Sequence, residues 1–292
     1  MKIGVQLPEV ERLVHWPEYR AMALAAEQGG LDSLWIGDHL LYDLPDGSTR
    51  GPWECWSTLA ALAEATSTIE LAPLVASTSF HQPAMLAKKA ATIDEISAGR
   101  LTVALGSGWN EREYSAYGFA FDKRVSRFEE AFTIIRTLLR QGSIDFHGTY
   151  YAAHNCVLDP PARPEIPIMI GSSGPRMLSI TAPHVDAWNI WFNDFDNEPA
   201  RLPDKMAVVD RAAEAAGRDG SEIAKTAALL AQLTDHPERR NSRNPLIGAS
   251  AMTDALAQMQ SVGIDHVQLV LDPITIETVA LAADAVADFR SR

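Results

Sequence analysis

The sequence predicts an α/β protein of the (β/α)8 TIM-barrel class, and three observations carry that expectation. Eight short apolar runs alternate with about eight helical segments, at a spacing of some 30 to 40 residues. Several of these runs break into glycine- and serine-rich turns, most clearly Gly106-Ser107-Gly108 and Gly171-Ser172-Ser173-Gly174. The 292 residues show no inter-domain linker, and that length is ordinary for one barrel. A doubly wound sheet is the competing architecture, but it normally has fewer strands.

Lys2 to Leu7 is short and apolar and stops at Pro8, as a first buried strand would. Pro17 to Gln28 reads as a helix with Pro17 in its first turn and Gly29-Gly30 at its end. Asp32 to Asp38 is a second strand, followed by His39 and a turn-rich loop over residues 40–54 that carries Tyr42 and Trp53. An alanine-rich helix over 56–65 leads to a third strand, Ile69 to Val75, and Pro83 opens a helix running to about Ile96. Arg100 precedes the fourth strand, Leu101 to Leu105, which breaks into Gly106-Ser107-Gly108 and an aromatic loop over 109–121.

The strongest amphipathic segment follows, with Phe128, Ala131, Phe132, Ile135, Leu138 and Leu139 at helical spacing on one face. Ser126 and Glu129 are spaced for a capping box, and Gly142 for a stop. Residues 146–166 read as a small hairpin and a proline-rich connection. The remaining strands are expected at Ile166–Ile170, Asp186–Trp191, Lys225–Leu233 and His266–Leu271, with helices after Gly174, from about Ala200 to Ala216, and over 251–262 and 275–290.

The bulk composition removes several classes of function. A net charge of -13 argues against a general nucleic-acid or anionic-membrane surface. No apolar run approaches the roughly 20 residues that span a bilayer, and Met1-Lys2-Ile3-Gly4 enters a strand without a signal-peptide core. Cys55 and Cys156 form no CxxC and fit a reducing cytoplasm, so a cytoplasmic protein is expected.

In a barrel, sites form from whatever follows each strand. That rule brings together His39, Ser77-Thr78, Ser107 to Asn110, Gly171 to Gly174, Trp191 and Asp272, with Trp53, Trp109 and Trp191 suited to a flat conjugated ligand. His39, beside Asp38, is placed to exchange a proton with a bound ring system; the alternative is a buried histidine satisfied by local backbone. Gly171 to Gly174 with Pro175-Arg176 offers free N–H groups, two hydroxyls and a guanidinium, as a phosphate cradle or as an ordinary βα turn. Gly106-Ser107-Gly108 is no dinucleotide fingerprint, because Glu111 occupies the third glycine position, and no GxSxG elbow occurs. His154 and Cys156, with His147 nearby, read as structural or solvent-facing rather than as a metal site. No lysine sits at a predicted strand end to form a Schiff base, and no carboxylate cluster awaits a metal. The basic cluster Arg239 to Arg243 falls in the loop after the seventh strand, as a solvated loop or as a clamp for an anionic tail.

Four segments in order, Ser33–His39 (SLWIGDH), Ala84–Arg100 (AMLAKKAATIDEISAGR), Gly106–Gly118 and Ile166–Trp188, carry a family resemblance. The chain resembles the luciferase-like monooxygenase superfamily, especially its branch of oxidoreductases dependent on the deazaflavin coenzyme F420. The resemblance implies a single bacterial-luciferase-like barrel domain over residues 1–292, cytoplasmic and homodimeric, binding F420 or, alternatively, FMN. It implies a catalytic role for His39 and Trp109. It also implies cofactor contacts from Asp38, His39, Leu74, Val75, Ser77, Ser107, Gly108, Asn110, Gly171, Ser172, Ser173, Gly174 and Arg176. Some members have a non-prolyl cis peptide at the end of the third strand, here near Leu74-Val75.

With F420 the implied reaction is hydride transfer to or from a small organic substrate. With FMN it is oxygen activation, which brings in a flavin reductase as partner. A barrel that binds flavin without turnover is the third reading. In the family's sugar-phosphate dehydrogenases a glutamate follows the Gly-x-Gly turn. Trp109 stands at that place here, with Glu111 and Glu113 farther along, so glucose 6-phosphate is not the expected substrate.

Overall fold

A computed structural model describes residues 1–44, 46–235 and 246–292. The Arg239–Arg243 cluster lies outside the described residues. The strands expected from the apolar runs are all present: β1 (Lys2–Gln6), β2 (Ser33–Ile36), β3 (Glu70–Pro73), β4 (Val103–Gly106), β5 (Ile168–Ile170), β6 (Ala187–Ile190), β7 (Ala224–Gln232) and β8 (His266–Leu271). They pair in parallel in the order β3-β2-β1-β8-β7-β6-β5-β4. The sheet closes where the Leu71 N–H donates to Arg100 O (3.0 Å) and the Thr102 N–H donates to Leu71 O (2.9 Å). Past a cis peptide at Leu74-Val75, where the resemblance placed one, Ala76–Ser77 pairs in parallel with Leu105–Gly106.

The strand runs are apolar throughout because both faces are covered. Alternation sends Ile3, Val5, Leu34, Ile36, Val103 and Leu105 outward into the layer beneath the helices. Trp35, Ala72, Ala104 and Met169 form a separate cluster inside the barrel. That outer layer is covered by α1 (Trp16–Gln28), α2 (Cys55–Ala65), α3 (Pro83–Ile96), α5 (Arg124–Gln141), α6 (Pro175–Thr181), α7 (Leu202–Ala215), α8 (Met252–Ser261) and α9 (Ile276–Ser291), while α4 (Glu111–Tyr117) lies over the cavity. Arg100 ties α2, α3 and β3 together below β4. Its guanidinium donates to Ala63 O, Thr66 O, Ile69 O and Ser97 O and to the Thr66 hydroxyl.

Three local expectations are corrected. The aromatic loop after Gly108 contains α4, because Glu111 and Glu113 supply a favourable acidic first turn and Gly118 (φ 77°) ends it. Residues 40–54 contain a short antiparallel pair, Tyr42–Asp43 with Thr49–Arg50. α5 buries the expected face but starts at Arg124, not at a Ser126 cap. The Lys123 carbonyl already accepts the Arg127 N–H, and Ser126 and Glu129 both face Arg176 instead.

The barrel interior also holds a polar layer. Trp35 Nε1 donates to Ser33 Oγ (2.6 Å), so the Ser33 hydroxyl hydrogen is free to point at His266 Nε2, 2.7 Å away. Gly4 lies against this group, and a Cβ there would come 1.9 Å from Ser33 Oγ. Burial pushes His266 down to about 3, aided by the charges of Lys2 and the amino terminus. A histidine depressed on folding makes the unfolded state the stronger proton binder between about 3 and the ordinary 6.5. Stability therefore falls with pH below about 6.5, by about 2 kcal/mol from this group between pH 7 and 5. Urea unfolding of wild type and His266→Gln at both pH values should show that increment missing from the variant. Equal pH dependence in the two proteins would remove His266 as its source.

Candidate active site

A cavity of about 620 Å³ opens at the carboxyl ends of the strands. Asp38 and His39 reach it from β2, Leu74, Val75 and Ser77 from β3, and Gly106 to Trp109 from β4. Gly171 to Ser173 follow β5, Asn189 to Trp191 come from β6, and Glu9, Tyr42, Phe80, Glu113, Asp194 and Lys205 complete the wall.

The His39 ring is held from one side. Its Nδ1 lies 3.0 Å from Glu113 Oε2 and 3.1 Å from Oε1. The Glu113 side chain is 1% exposed, and its Oε1 also accepts the N–H groups of Leu40 (2.5 Å) and Leu41 (3.2 Å). Glu113 therefore serves as acceptor, the hydrogen of neutral His39 sits on Nδ1, and Nε2 is the nitrogen left for chemistry. Burial alone would lower the His39 pKa. The Glu113 hydrogen bond and the charges of Glu9, Glu113 and Asp38 outweigh burial and raise it. Tyr42 and Trp109 flank the imidazole, with ring centroids at 4.7 and 5.8 Å.

Asp38 is buried, and its Oδ2 is engaged from behind. It accepts the Ser77 N–H (2.8 Å) and meets His81 Nε2 (2.9 Å), which fixes the end of β2 against the extension of β3. Glycines let the floor close up. A Cβ on Gly106 or Gly171 would lie 2.9 or 2.8 Å from Val75 Cγ2, so Val75 packs directly on both backbones. Gly108 has φ 71°, and a Cβ there would fall 2.1 Å from Tyr114 Oη and 2.4 Å from Ser77 Oγ. At the mouth, burial raises the Asp194 pKa while Lys205 opposes it.

Of the residues named from sequence, Asp38, His39, Leu74, Val75, Ser77, Ser107, Gly108, Trp109, Gly171, Ser172, Ser173 and Trp191 line the cavity. Asn110, Gly174 and Arg176 do not. Asn110 Nδ2 donates to Leu41 O (3.1 Å), and the half-exposed Arg176 pairs with Glu129 (2.9 Å) and Ser126 Oγ (3.0 Å). Thr78 is turned to Gly106 O, Asp272 is fully buried, and Trp53 is 54% exposed with its Nε1 on Val14 O. Reading the sequence missed Glu9, Phe80, Asn189, Asp194 and Lys205, and it left Tyr42 and Glu113 as loop residues without a role. Two of these carried a signal: Glu9 follows the Pro8 that stops the first strand, and Glu113 falls in the first turn of a helix that Asn110 and Gly118 delimit.

The glycines give a differential prediction. Gly108→Ala should destabilise the protein by about 1–3 kcal/mol, from backbone strain and overpacking. Gly174→Ala meets only Ser172 Oγ, at 3.8 Å, and should be nearly neutral. Melting curves of the two variants check this, and equal effects would reject it.

This fold and this cavity define a luciferase-like barrel. Residues 2–272 match the luciferase-like monooxygenase family, and the chain belongs to it, as its motif order implied. It is 32% identical over 251 residues to a phthiodiolone/phenolphthiodiolone dimycocerosates ketoreductase of Mycobacterium tuberculosis, covering 77% of this chain and 64% of that protein. It is 32% identical over 221 residues to an F420-dependent hydroxymycolic acid dehydrogenase of the same species, covering 74% and 59%. It is 34% identical over 202 residues to the pyrimidine monooxygenase RutA of Cronobacter sakazakii, covering 67% and 58%. The chain thus spans less than two thirds of the length of these relatives. Among solved structures, an F420-dependent secondary alcohol dehydrogenase in complex with an F420-acetone adduct superimposes with TM-score 0.84 at 18% identity, over 99% of both chains. Riboflavin lyase RcaE superimposes with TM-score 0.81 at 15% identity, over 100% of this chain and 92% of that one. These likenesses establish the barrel. Members of this family are oxidoreductases or monooxygenases. No helix among the described residues is long and apolar enough to cross a membrane.

Proposed function

We propose that the chain is an F420-dependent oxidoreductase that interconverts an alcohol and a carbonyl group on a small organic substrate. The observation that carries this reading is the His39–Glu113 pair in the cavity wall: a proton-exchanging imidazole beside an apolar floor. The 32% identity to a dehydrogenase named as F420-dependent supports the cofactor choice. The cavity fits such a group. Leu74 and Val75 with the bare backbones of Gly106 and Gly171 would hold the flat ring, and Ser172 and Ser173 would offer hydroxyl and N–H donors to a phosphate-bearing tail.

When bound, F420 supplies a ring carbon that accepts or donates a hydride. The chain's own residues do the rest. In the oxidative direction the substrate C–H leaves with its electron pair, and the hydroxyl proton passes to His39 Nε2. In the reductive direction His39 returns that proton to the oxygen. Glu113 holds the Nδ1–H tautomer and balances the imidazolium as it forms. Tyr42 and Trp109 flank the imidazole, and Trp191 lines the same cavity.

An FMN-dependent monooxygenase with a partner reductase is the second reading, favoured by the 34% identity to a pyrimidine monooxygenase. Titration of tryptophan fluorescence with F420 and, separately, with FMN distinguishes them, since Trp109 and Trp191 line the cavity. Saturable F420 quenching with weak FMN quenching is the expected result. Tight FMN binding alone would overturn it, and F420 binding without turnover across an alcohol and ketone panel would leave a flavin-binding barrel.

A further inference from the structure

A second cluster of chemistry-bearing side chains sits on an exposed hairpin outside the cavity lining. Between α5 and β5 the chain forms an antiparallel hairpin, Ser143–His147 with Ala152–Val157. The hairpin runs back along α5, where the N–H groups of Thr149, Tyr150 and Tyr151 at its tip donate to Glu130, and none of its residues lines the cavity. Ile144 and Phe146 turn inward to the core, while Ser143, Asp145 and His147 are exposed on the outer side.

The ladder slips once. Phe146 pairs with Ala153, yet Ile144 pairs with Cys156, so two residues, His154 and Asn155, stand opposite Asp145. Asn155 absorbs the slip with φ 45°, and its N–H donates to Asp145 Oδ1 (3.1 Å). The bulge has a chemical consequence. It returns Cys156 to the inner side against the core and leaves His154 on the outer face with Asp145 and His147. The spacing of His154 and Cys156 in the sequence points to a pair that the fold separates. The fold brings forward Asp145 instead.

One donor atom from each of Asp145, His147 and His154 lies within 4.8 Å of the other two. His147 Nε2 is already 3.4 Å from Asp145 Oδ1, and the two imidazole rings stand 4.7 Å apart between centroids. Ligands around a tetrahedral ion with bonds near 2.0–2.1 Å are about 3.3 Å apart. Side-chain rotation on an exposed face closes the remaining gap without moving the backbone. Two imidazoles and one carboxylate are the donor set of borderline divalent transition metals, whereas calcium and magnesium take oxygen.

We propose that Asp145, His147 and His154 form a zinc-class divalent metal site that clips the two strands of this hairpin across its bulge, with water completing the coordination. The site is structural. It takes ligands from both strands, and none of the three lines the cavity.

Isothermal titration of the tag-free full chain with zinc chloride should give one ion per chain. His147→Ala and His154→Ala should each weaken binding at least tenfold, and Asp145→Asn several-fold. Cys156→Ser should leave it unchanged. Hydrogen exchange should show zinc protecting amides 152–157 in wild type and not in His154→Ala. The replacements of Asp145, His147 and His154 fall on exposed side chains and leave the core untouched, so folding does not confuse the result. No saturable binding, binding indifferent to both histidine variants, or binding lost in Cys156→Ser would each overturn the site.

Discussion

Replacement of His39 by alanine is expected to lower turnover by about 10²–10⁴-fold, the usual worth of a positioned general acid or base. Cofactor affinity should change little. The ring surface of the cavity is built mainly from Leu74, Val75 and the backbones of Gly106 and Gly171, and only one edge is imidazole. The expected signature is therefore a fall in kcat with a nearly constant dissociation constant. His39→Asn is the informative companion, because an amide can still donate to Glu113 but cannot carry the substrate proton. Loss of turnover in both variants with binding retained assigns the proton to His39. Full activity in either removes His39 from the mechanism.

That prediction rests on a residue that stood at a predictable place and on a partner that did not. His39 is legible because a buried parallel strand is a continuous apolar run, and the polar residue that ends it marks the barrel mouth. The same logic located β3, β4, β5 and β6 and most of the lining residues at their ends, though not Asn189 within β6. It failed where position depends on how a short helix closes back over the site. α4 has seven residues, about two turns and too short a run for a helical pattern to stand out, so Glu113 reads as one more loop carboxylate until the turn at Asn110 aims it at His39. Arg176 failed in the opposite sense. Its place after Gly171–Gly174 looked like a phosphate donor, but the face of α5 next to it presents Glu129 and Ser126, which take the guanidinium away from the cavity. Local pattern thus locates strand ends well, and it locates side chains poorly once two connections compete for them.

Glu113 should prove as consequential as His39, through both stability and pH response. Its carboxylate is the acceptor for His39 Nδ1 and for the N–H groups of Leu40 and Leu41, in a setting where its side chain is 1% exposed. Glu113→Ala leaves those donors without an acceptor and should cost about 3–5 kcal/mol, the range for breaking a buried pair. Glu113→Gln keeps the shape and one acceptor oxygen, removes the charge, and isolates the electrostatic part. Burial opposes the charged imidazole, and the Glu113 hydrogen bond and neighbouring carboxylates overcome it, so the folded pKa of His39 lies above the ordinary 6.5. A histidine raised on folding contributes stability that is fully present below 6.5 and lost as pH rises through the folded value. That contribution has the opposite sign to the one from His266. Denaturant unfolding of Glu113→Gln should therefore show a deficit at pH 6 that narrows by pH 9. The limb of the pH–activity profile that belongs to His39 should move to lower pH in the same variant. A constant deficit across that range, with an unmoved limb, would mean that Glu113 only braces the loop and leaves the protonation of His39 to other charges.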